Sequence, residues 1–350
     1  MCIRDRDKGT NLVLTSISGK DELPFKMAPL IFLSTVISHF FGASVGREGA
    51  ALQLGGSLGN TIGESFGFRE CDRKILIMTG MSAAFSALFG TPAAAAVFAV
   101  EVAVIGTMYI QALLPCVIAA YTASRLPLAI GIKPERLPLG NVPDMSFVLI
   151  LKLVVLAGLC GVLAIVFCVV MKKTKIYSEK LIKNPWLRVV AGAAVFIGIT
   201  ALTRSTDYYG TGMNVIERAV TEGKAVPYAF ALKLVLTALM LGVGFKGGEI
   251  VPTFFVGATF GCVIGKLLGI SPGLAAAAGM ASLFCGVTNC PFAAAIMCFE
   301  LFGFESAPYI LIVTAISYAV SGYCSLYSGQ YCDVSKYSLK MGDTGENTDN

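Results

Sequence analysis

The longest stretches of this chain without a charged residue decide what it can fold into. Leu267 to Phe299 contains no Asp, Glu, Lys or Arg, Ser306 to Cys332 contains none either, and Ile75 to Ser124 contains only Glu101. Each stretch exceeds the roughly 20 apolar residues that one helix needs to cross a bilayer. The composition agrees: 55% of residues are hydrophobic and 14% charged, where a soluble domain carries about 25% charged. A chain of 350 residues built this way holds many spans and little else, and reads as one all-α membrane domain lodged in a lipid bilayer.

The net charge of +5 is not a nucleic-acid signal, because the basic residues gather between apolar segments. Lys172, Lys173, Lys175, Lys180, Lys183 and Arg188 form the densest run, opposed only by Glu179. It reads as a loop, and the positive-inside bias puts it in the cytoplasm. The eleven cysteines form no CxxC; Cys116, Cys160, Cys168, Cys262 and Cys298 lie inside apolar stretches and read as small hydrophobes. His39 is the one histidine, which argues against a zinc site and against histidine-based triads. No metal and no cofactor is implied. The charged start Met1–Lys8 is not a signal peptide, and the polar tail from Asp333 is expected to be disordered at its end.

Apolar runs lie near 27–45, 75–105, 107–124, 145–171, 189–203, 226–245, 250–270, 272–302 and 306–327. Many are interrupted, at Gly90-Thr91-Pro92, Pro115, Gly247-Gly248, Pro252, Pro272 and Pro291. Broken or re-entrant helices survive at membrane depth only where protein or a cavity satisfies the freed backbone. The interruptions also repeat. Gly80–Glu101 and Gly279–Glu300, 199 residues apart, agree at eight of 22 positions, including Pro92/Pro291 and Glu101/Glu300. Just upstream, Gly55-x3-Gly59-x3-Gly63 recurs as Gly257-x3-Gly261-x3-Gly265, a spacing that lets helix backbones approach. Paired Gly/Pro-interrupted segments in corresponding halves point to a midplane binding site between inverted repeats. Duplication for packing alone is the other reading, and it leaves the charges beside the breaks unexplained. The boundaries that follow are a remnant over 1–26, a membrane domain over 27–330 whose halves meet near 142/143, and a tail over 331–350.

Two of the breaks carry charge. Gly46-Arg47-Glu48-Gly49 opens a glycine-rich helix, and ionisable residues at such a place are costly and usually functional. A helix N-terminus attracts anions through its free N–H groups and partial positive charge. Glu48 can set its own carboxylate there in imitation of a ligand and release the site on protonation, which makes it a candidate gate. An Arg47–Glu48 surface pair is the plainer alternative. The counterpart is Gly247-Gly248-Glu249-Ile250-Val251-Pro252, with Pro252 suited to a first turn and the amides of Glu249 and Ile250 aimed at a ligand. Glu249 reads either as a functional acid in a watered vestibule or as a partner for Lys246.

GREGA at Gly46–Ala50 resembles the GREGP-type motif of the CLC chloride channel and transporter family. GGEIVP with the glycine ladder after it is similar to that family's G-x-F-x-P motif and the helix it begins. GMSAAFSALFGTPAAAAVFAVE and NCPFAAAIMCFELFG resemble the segments that follow these motifs, and Tyr327 in Ser325-Leu326-Tyr327-Ser328 matches the family's late tyrosine. The resemblance runs from about Pro24 to about Gln330. It implies a polytopic fold of inverted repeats with broken helices, working as a homodimer with one pore per subunit in the inner (plasma) membrane. It implies an anion, chloride first, held by helix N-termini (Gly46, Arg47, Gly49, Glu249, Ile250) and the Tyr327 hydroxyl, with Glu48 as gate.

Three departures qualify the resemblance. The early Ser-containing anion loop is missing, with Gly9–Gly19 as the remnant after it, so the chain reads as truncated at its N-terminus. The position of the inner proton-transferring glutamate, next after Glu101, holds Val102. Glu249 stands at a usually apolar place, an arrangement similar to a fluoride-exporting bacterial branch that Val251 matches poorly. Val102 favours a passive channel, whereas Glu48 with Glu249 as relay permits proton-coupled export of chloride or fluoride. The missing loop also leaves open a fragment that does not transport. A membrane-embedded protease or acyltransferase finds no paired Asp, no HExxH and no second histidine.

Overall fold

The computed structural model describes residues 9–19, 23–140, 142–332 and 335–337. The charged start 1–8 and the tail beyond residue 337 lie outside the described residues. The rest is a bundle of helices: α1 Thr10–Ile17, α2 Met27–Phe40, α3 Glu48–Ser65, α4 Glu70–Phe89, α5 Pro92–Glu101, α6 Leu113–Ala129, α7 Phe147–Leu181, α8 Pro185–Thr203, α9 Met213–Thr221, α10 Ala229–Val243, α11 Ile250–Leu268, α12 Pro272–Thr288, α13 Pro291–Phe302 and α14 Ala307–Val320. One short parallel pairing joins β1 Val104–Ile105 to β2 Tyr331–Cys332. Helices over 110–129, 147–181, 185–203 and 250–268 are long and apolar enough to cross a membrane. The ten residues of α5 extend only ~15 Å, about half of a ~30 Å hydrocarbon core.

Pro115 makes no break, since α6 runs through it; the break after α4 sits where the sequence puts it, and it is duplicated down to backbone angles. The run 75–105 divides at Gly90, which ends α4 in the left-handed region at φ 69°. Asn289, 199 residues later, ends α12 at φ 58°. The next residues, Thr91 (φ −118°, ψ 76°) and Cys290 (φ −117°, ψ 78°), take the same extended turn into Pro92 and Pro291. Asn is tolerated where Gly stands in the other half because its short side chain suits the left-handed region; here its Nδ2 donates to the Cys324 carbonyl at 3.0 Å.

The glycine ladders pack α3 on α4 and α11 on α12 backbone to backbone. A Cβ on Gly55 would lie 2.1 Å from the Gly80 carbonyl oxygen, and one on Gly257 would lie 2.6 Å from that of Gly279. The equivalence of positions read from the sequence is therefore an equivalence of contacts.

The two halves meet in reciprocal fashion. The Glu101 carboxylate at the end of α5 accepts from the amides of Phe292 (3.1 Å) and Ala293 (2.7 Å) at the start of α13. Glu300, near the end of α13, accepts from Ala93 (3.1 Å) and Ala94 (2.8 Å) at the start of α5. Each short helix thus fills the other's N-terminus, which requires that they run antiparallel, the relation expected of inverted repeats. This is the role of the shared glutamates: their charge meets free N–H groups and the positive end of the helix dipole.

Several expectations need correction. The lysine run is not a loop, because Lys172, Lys173, Lys175 and Lys180 lie on the last turns of α7. At 35 residues that helix extends ~52 Å, and its basic turns pack on the end of α10, where Ser178 Oγ donates to the Gly242 carbonyl at 2.6 Å. Arg188 lies within α8. The remnant Gly9–Gly19 is largely helix α1, which packs on α3 and accepts from Gly329 N through Asn11 Oδ1 at 2.9 Å. Amphipathic α9 escapes a search for apolar runs. Cys116, Cys160, Cys168, Cys262 and Cys298 are buried and free.

Glu101→Ala strips the acceptors from two amides at a buried helix start, whereas Glu300 is half-buried. An unsatisfied buried donor costs about 1–3 kcal/mol. Thermal unfolding in detergent is expected to show a midpoint several degrees lower for Glu101→Ala, with a smaller drop for Glu300→Ala.

Candidate functional site

The carboxylate of Glu48 lies where the two halves touch. Gly46 N donates to the Gly248 carbonyl at 2.8 Å and Gly248 N donates back to that of Gly46 at 2.7 Å, a two-hydrogen-bond antiparallel bridge between equivalent residues. The starts of α3 and α11 converge beside it. Glu48, the first residue of α3, is 0% exposed. Its Oε1 accepts from Arg47 N at 3.0 Å and its Oε2 from Val251 N at 3.4 Å. The side chain therefore curls over its own helix start to sit among amides drawn from both halves.

The bridging glycines are glycines because of that carboxylate. A Cβ on Gly46 would meet Glu48 Oε2 at 2.0 Å, and its three nearest atoms would all belong to the Glu48 carboxyl group. On Gly248 it would meet Oε2 at 2.3 Å and the Gly49 nitrogen at 2.7 Å. Neither glycine has a positive φ, so space rather than conformation sets the requirement.

The other expected residues are arranged around this point. The Arg47 guanidinium does not pair with Glu48; it turns outward, 49% exposed, to Glu135 at 3.3 Å. The plainer alternative of an Arg47–Glu48 pair does not form, and what Arg47 brings to the site is its amide. Gly49 packs on the Gly247–Gly248 backbone and near Thr10 of α1. Glu249 is the half-buried N-cap of α11. It forms no ion pair among the described residues, so Lys246 is not its partner there; the Lys246 amide donates to Ser38 Oγ at 3.2 Å. The cation whose field reaches Glu249 is Lys175, on the basic turns of α7. Ile250 N–H finds no acceptor among the described residues. Tyr327 is 4% exposed and its amide donates to Ser325 Oγ at 3.0 Å, but its hydroxyl has no hydrogen-bond partner among the described residues. Within reach of that hydroxyl are the charges of Glu249 and Glu48.

Val102 is buried at 0% exposure, and its carbonyl accepts from Gln330 Nε2 at 2.7 Å. The same nitrogen donates to the Thr288 carbonyl at 2.7 Å, so Gln330 ties the end of α5 to the end of α12. The sequence reading missed this tie, and it missed Lys233, a lone charge within the run 226–245 that the interruption of apolarity could have flagged.

Two helix starts converge at mid-bundle around the buried Glu48 carboxylate, inside a polytopic bundle of inverted halves. The sequence matches the voltage gated chloride channel family over residues 2–322, and the chain belongs to this family of anion channels and transporters. A chloride/fluoride channel protein of Pseudomonas syringae pv. tomato is 36% identical over 338 residues, covering 95% of this chain and 75% of that one. A voltage-gated ClC-type chloride channel, ClcB, of Salmonella dublin is 26% identical over 304 residues, covering 83% and 71%. Among solved structures, a CLC-type fluoride/proton antiporter superposes with a TM-score of 0.90 at 36% identity, over 94% of this chain and 84% of that one. A slow cyanobacterial Cl−/H+ antiporter, at TM-score 0.78 and 20% identity over 89% and 76%, shares the fold.

Gly46→Ala is expected to leave the helices in place and turn the Glu48 side chain away from the bridge, because the added methyl and the carboxyl group claim one volume. A structure of the variant checks this. A carboxylate still hydrogen-bonded to Val251 N would refute the account of Gly46.

Proposed function

We propose that this chain exchanges a small halide for protons across the plasma membrane, with Glu48 as gate, Glu249 as proton relay and fluoride rather than chloride as the anion. The observation that carries the reading is the Glu48 carboxylate held by the amides of Arg47 and Val251, in a place built for a negative group. Protonated, Glu48 loses its claim on those donors, and an anion takes them, joined by the Ile250 amide and the Tyr327 hydroxyl. Hydrogen bonds to a charged group are worth roughly 1.5–3 kcal/mol each, so a few suffice to replace part of the hydration of an ion. Gly46 and Gly49 supply close backbone approach, and Arg47 acts through its N–H.

A relay at Glu249 is supported by its position. Its field and that of Glu48 both bear on Tyr327, and Lys175 reaches it from the basic end of α7, the end assigned to the cytoplasm. The place of the usual inner glutamate is a buried valine, so a coupled proton needs another acid. Fluoride is favoured by Glu249 at the start of α11 together with the 36%-identical fluoride/proton antiporter; the other relative at 36% identity is named for both chloride and fluoride. The working unit is a homodimer with a separate pore in each copy, and the chain makes and breaks no covalent bonds. The second reading, a passive chloride channel, draws on Val102 and on the relatives named as channels.

Reconstituted into liposomes, the wild type is expected to pass fluoride faster than chloride and to take up protons when an imposed outward anion gradient drives them in. Glu48→Gln keeps anion flux and drops proton uptake to background, because a neutral amide cannot alternate between bound carboxylate and released acid. Glu249→Gln loses proton uptake in the same way while passive anion flux stays measurable. Chloride flux equal to fluoride flux would reject the selectivity. Proton-free anion flux in the wild type would select the channel reading.

Tyr327→Phe is expected to weaken anion binding by about tenfold, since one hydrogen bond to a charged group is lost and water makes up part of it. Calorimetric affinities equal to wild type would remove the hydroxyl from the site.

A further inference from the structure

Lys233 is a second buried charge beside the gate. It stands on α10 with its side chain 0% exposed, in a helix otherwise without charge. Its Nζ donates to the carbonyls of Gly210 (2.6 Å) and Tyr208 (3.2 Å) and lies 5.2 Å from the centroid of the Phe255 ring. Carbonyl oxygens only accept and a ring face is negative, so every contact in this seat is one that an ammonium makes favourably. No carboxylate pairs with it among the described residues.

Each part of the seat leads to the gate. The two carbonyls belong to the connection between α8 and α9, and Gly210 N donates to the Ala43 carbonyl at 3.1 Å, on the approach to Gly46. Phe255 is four residues beyond Val251, whose amide holds Glu48. One turn along α10 from Lys233, Thr237 Oγ1 meets Ser44 Oγ at 3.5 Å, on the same approach. The carboxylate whose charge reaches Lys233 is that of Glu48. A lone cation inside a membrane bundle is costly, and such residues mark ion pathways.

We propose that Lys233 is the fixed counter-charge of the anion path, a positioning residue that lends positive potential to whichever negative group occupies the site. With the gate closed that group is the Glu48 carboxylate; with the gate open it is the transported halide. The lysine itself never enters the path, because the Tyr208 and Gly210 carbonyls and the Phe255 ring hold it behind the approach strand. The inference rests on the reading of Glu48 as gate to an anion site.

The test is the fluoride concentration dependence of flux through the whole chain in liposomes, for wild type, Lys233→Gln, Lys233→Met and Lys233→Arg. Gln keeps donors for the two carbonyls and removes the charge; Met removes both; Arg keeps both. Half-saturation is expected to rise on the order of tenfold in the Gln and Met variants, as loss of a unit positive charge near the site implies, with a smaller change in maximal rate. Arg should stay within about twofold of wild type. The same rise should appear when Lys233→Gln is placed in a Glu48→Gln background, where the gate is already neutral. An unchanged half-saturation in Lys233→Gln overturns the proposal while leaving the anion reading intact. If neither neutral variant reaches a monodisperse folded state while Arg does, Lys233 serves the fold alone and the proposal is likewise overturned. A wild type that passes no anion would instead defeat the functional reading, and the proposal with it.

Discussion

A helix that begins inside a bilayer leaves its first N–H groups without water to bind, and this protein answers with carboxylates. At α5 and α13 the answer is permanent: Glu101 and Glu300 each fill the N-terminus of the other half's short helix. At α3 and α11 it comes from one side chain, Glu48, reaching from the first turn of its own helix to an amide of the other. The three glutamates solve the same electrostatic problem with different tethers. Glu101 and Glu300 sit at or near the far ends of α5 and α13, so each hydrogen bond they make also ties one half to the other. Glu48 differs in drawing its two amides from both helix starts, Arg47 N beside its own and Val251 N of the other.

The helix starts are held in a rigid surround, and glycine supplies it. Along α3/α4 and α11/α12 the backbones come close enough that a Cβ on Gly55 or Gly257 would collide with a carbonyl. Without a large hydrophobic force between helices in lipid, such close packing supplies the van der Waals attraction that holds them. The rows of small residues that look featureless in the sequence are thus what fixes the helix starts in register around Glu48.

Much of this was legible in the sequence because inverted repeats write their interfaces twice. Glycine ladders, prolines and paired glutamates recur at near-constant offsets, and what recurs beside a helix break marks a contact between halves. The reciprocal use of Glu101 and Glu300 was not legible, since a carboxylate before a loop does not say which helix it caps. Lys233 was passed over because its partners are backbone carbonyls and a ring face, which leave no residue-type signature. The lysine run misled for a related reason: charge was taken as a sign of loop, although α7 continues as helix after its apolar face ends.

Gly46 carries one consequence beyond its own position. The volume that a methyl group would need there is filled by a carboxyl group two residues along, so the two sites share a single allotment of space. Replacement of Gly46 is harmful only while residue 48 is long enough to fold back, and a shorter residue at 48 frees position 46 to vary. The constraint is inherited by the pair: among chains of this kind, glycine at the first position should persist with glutamate at the second and relax with its loss.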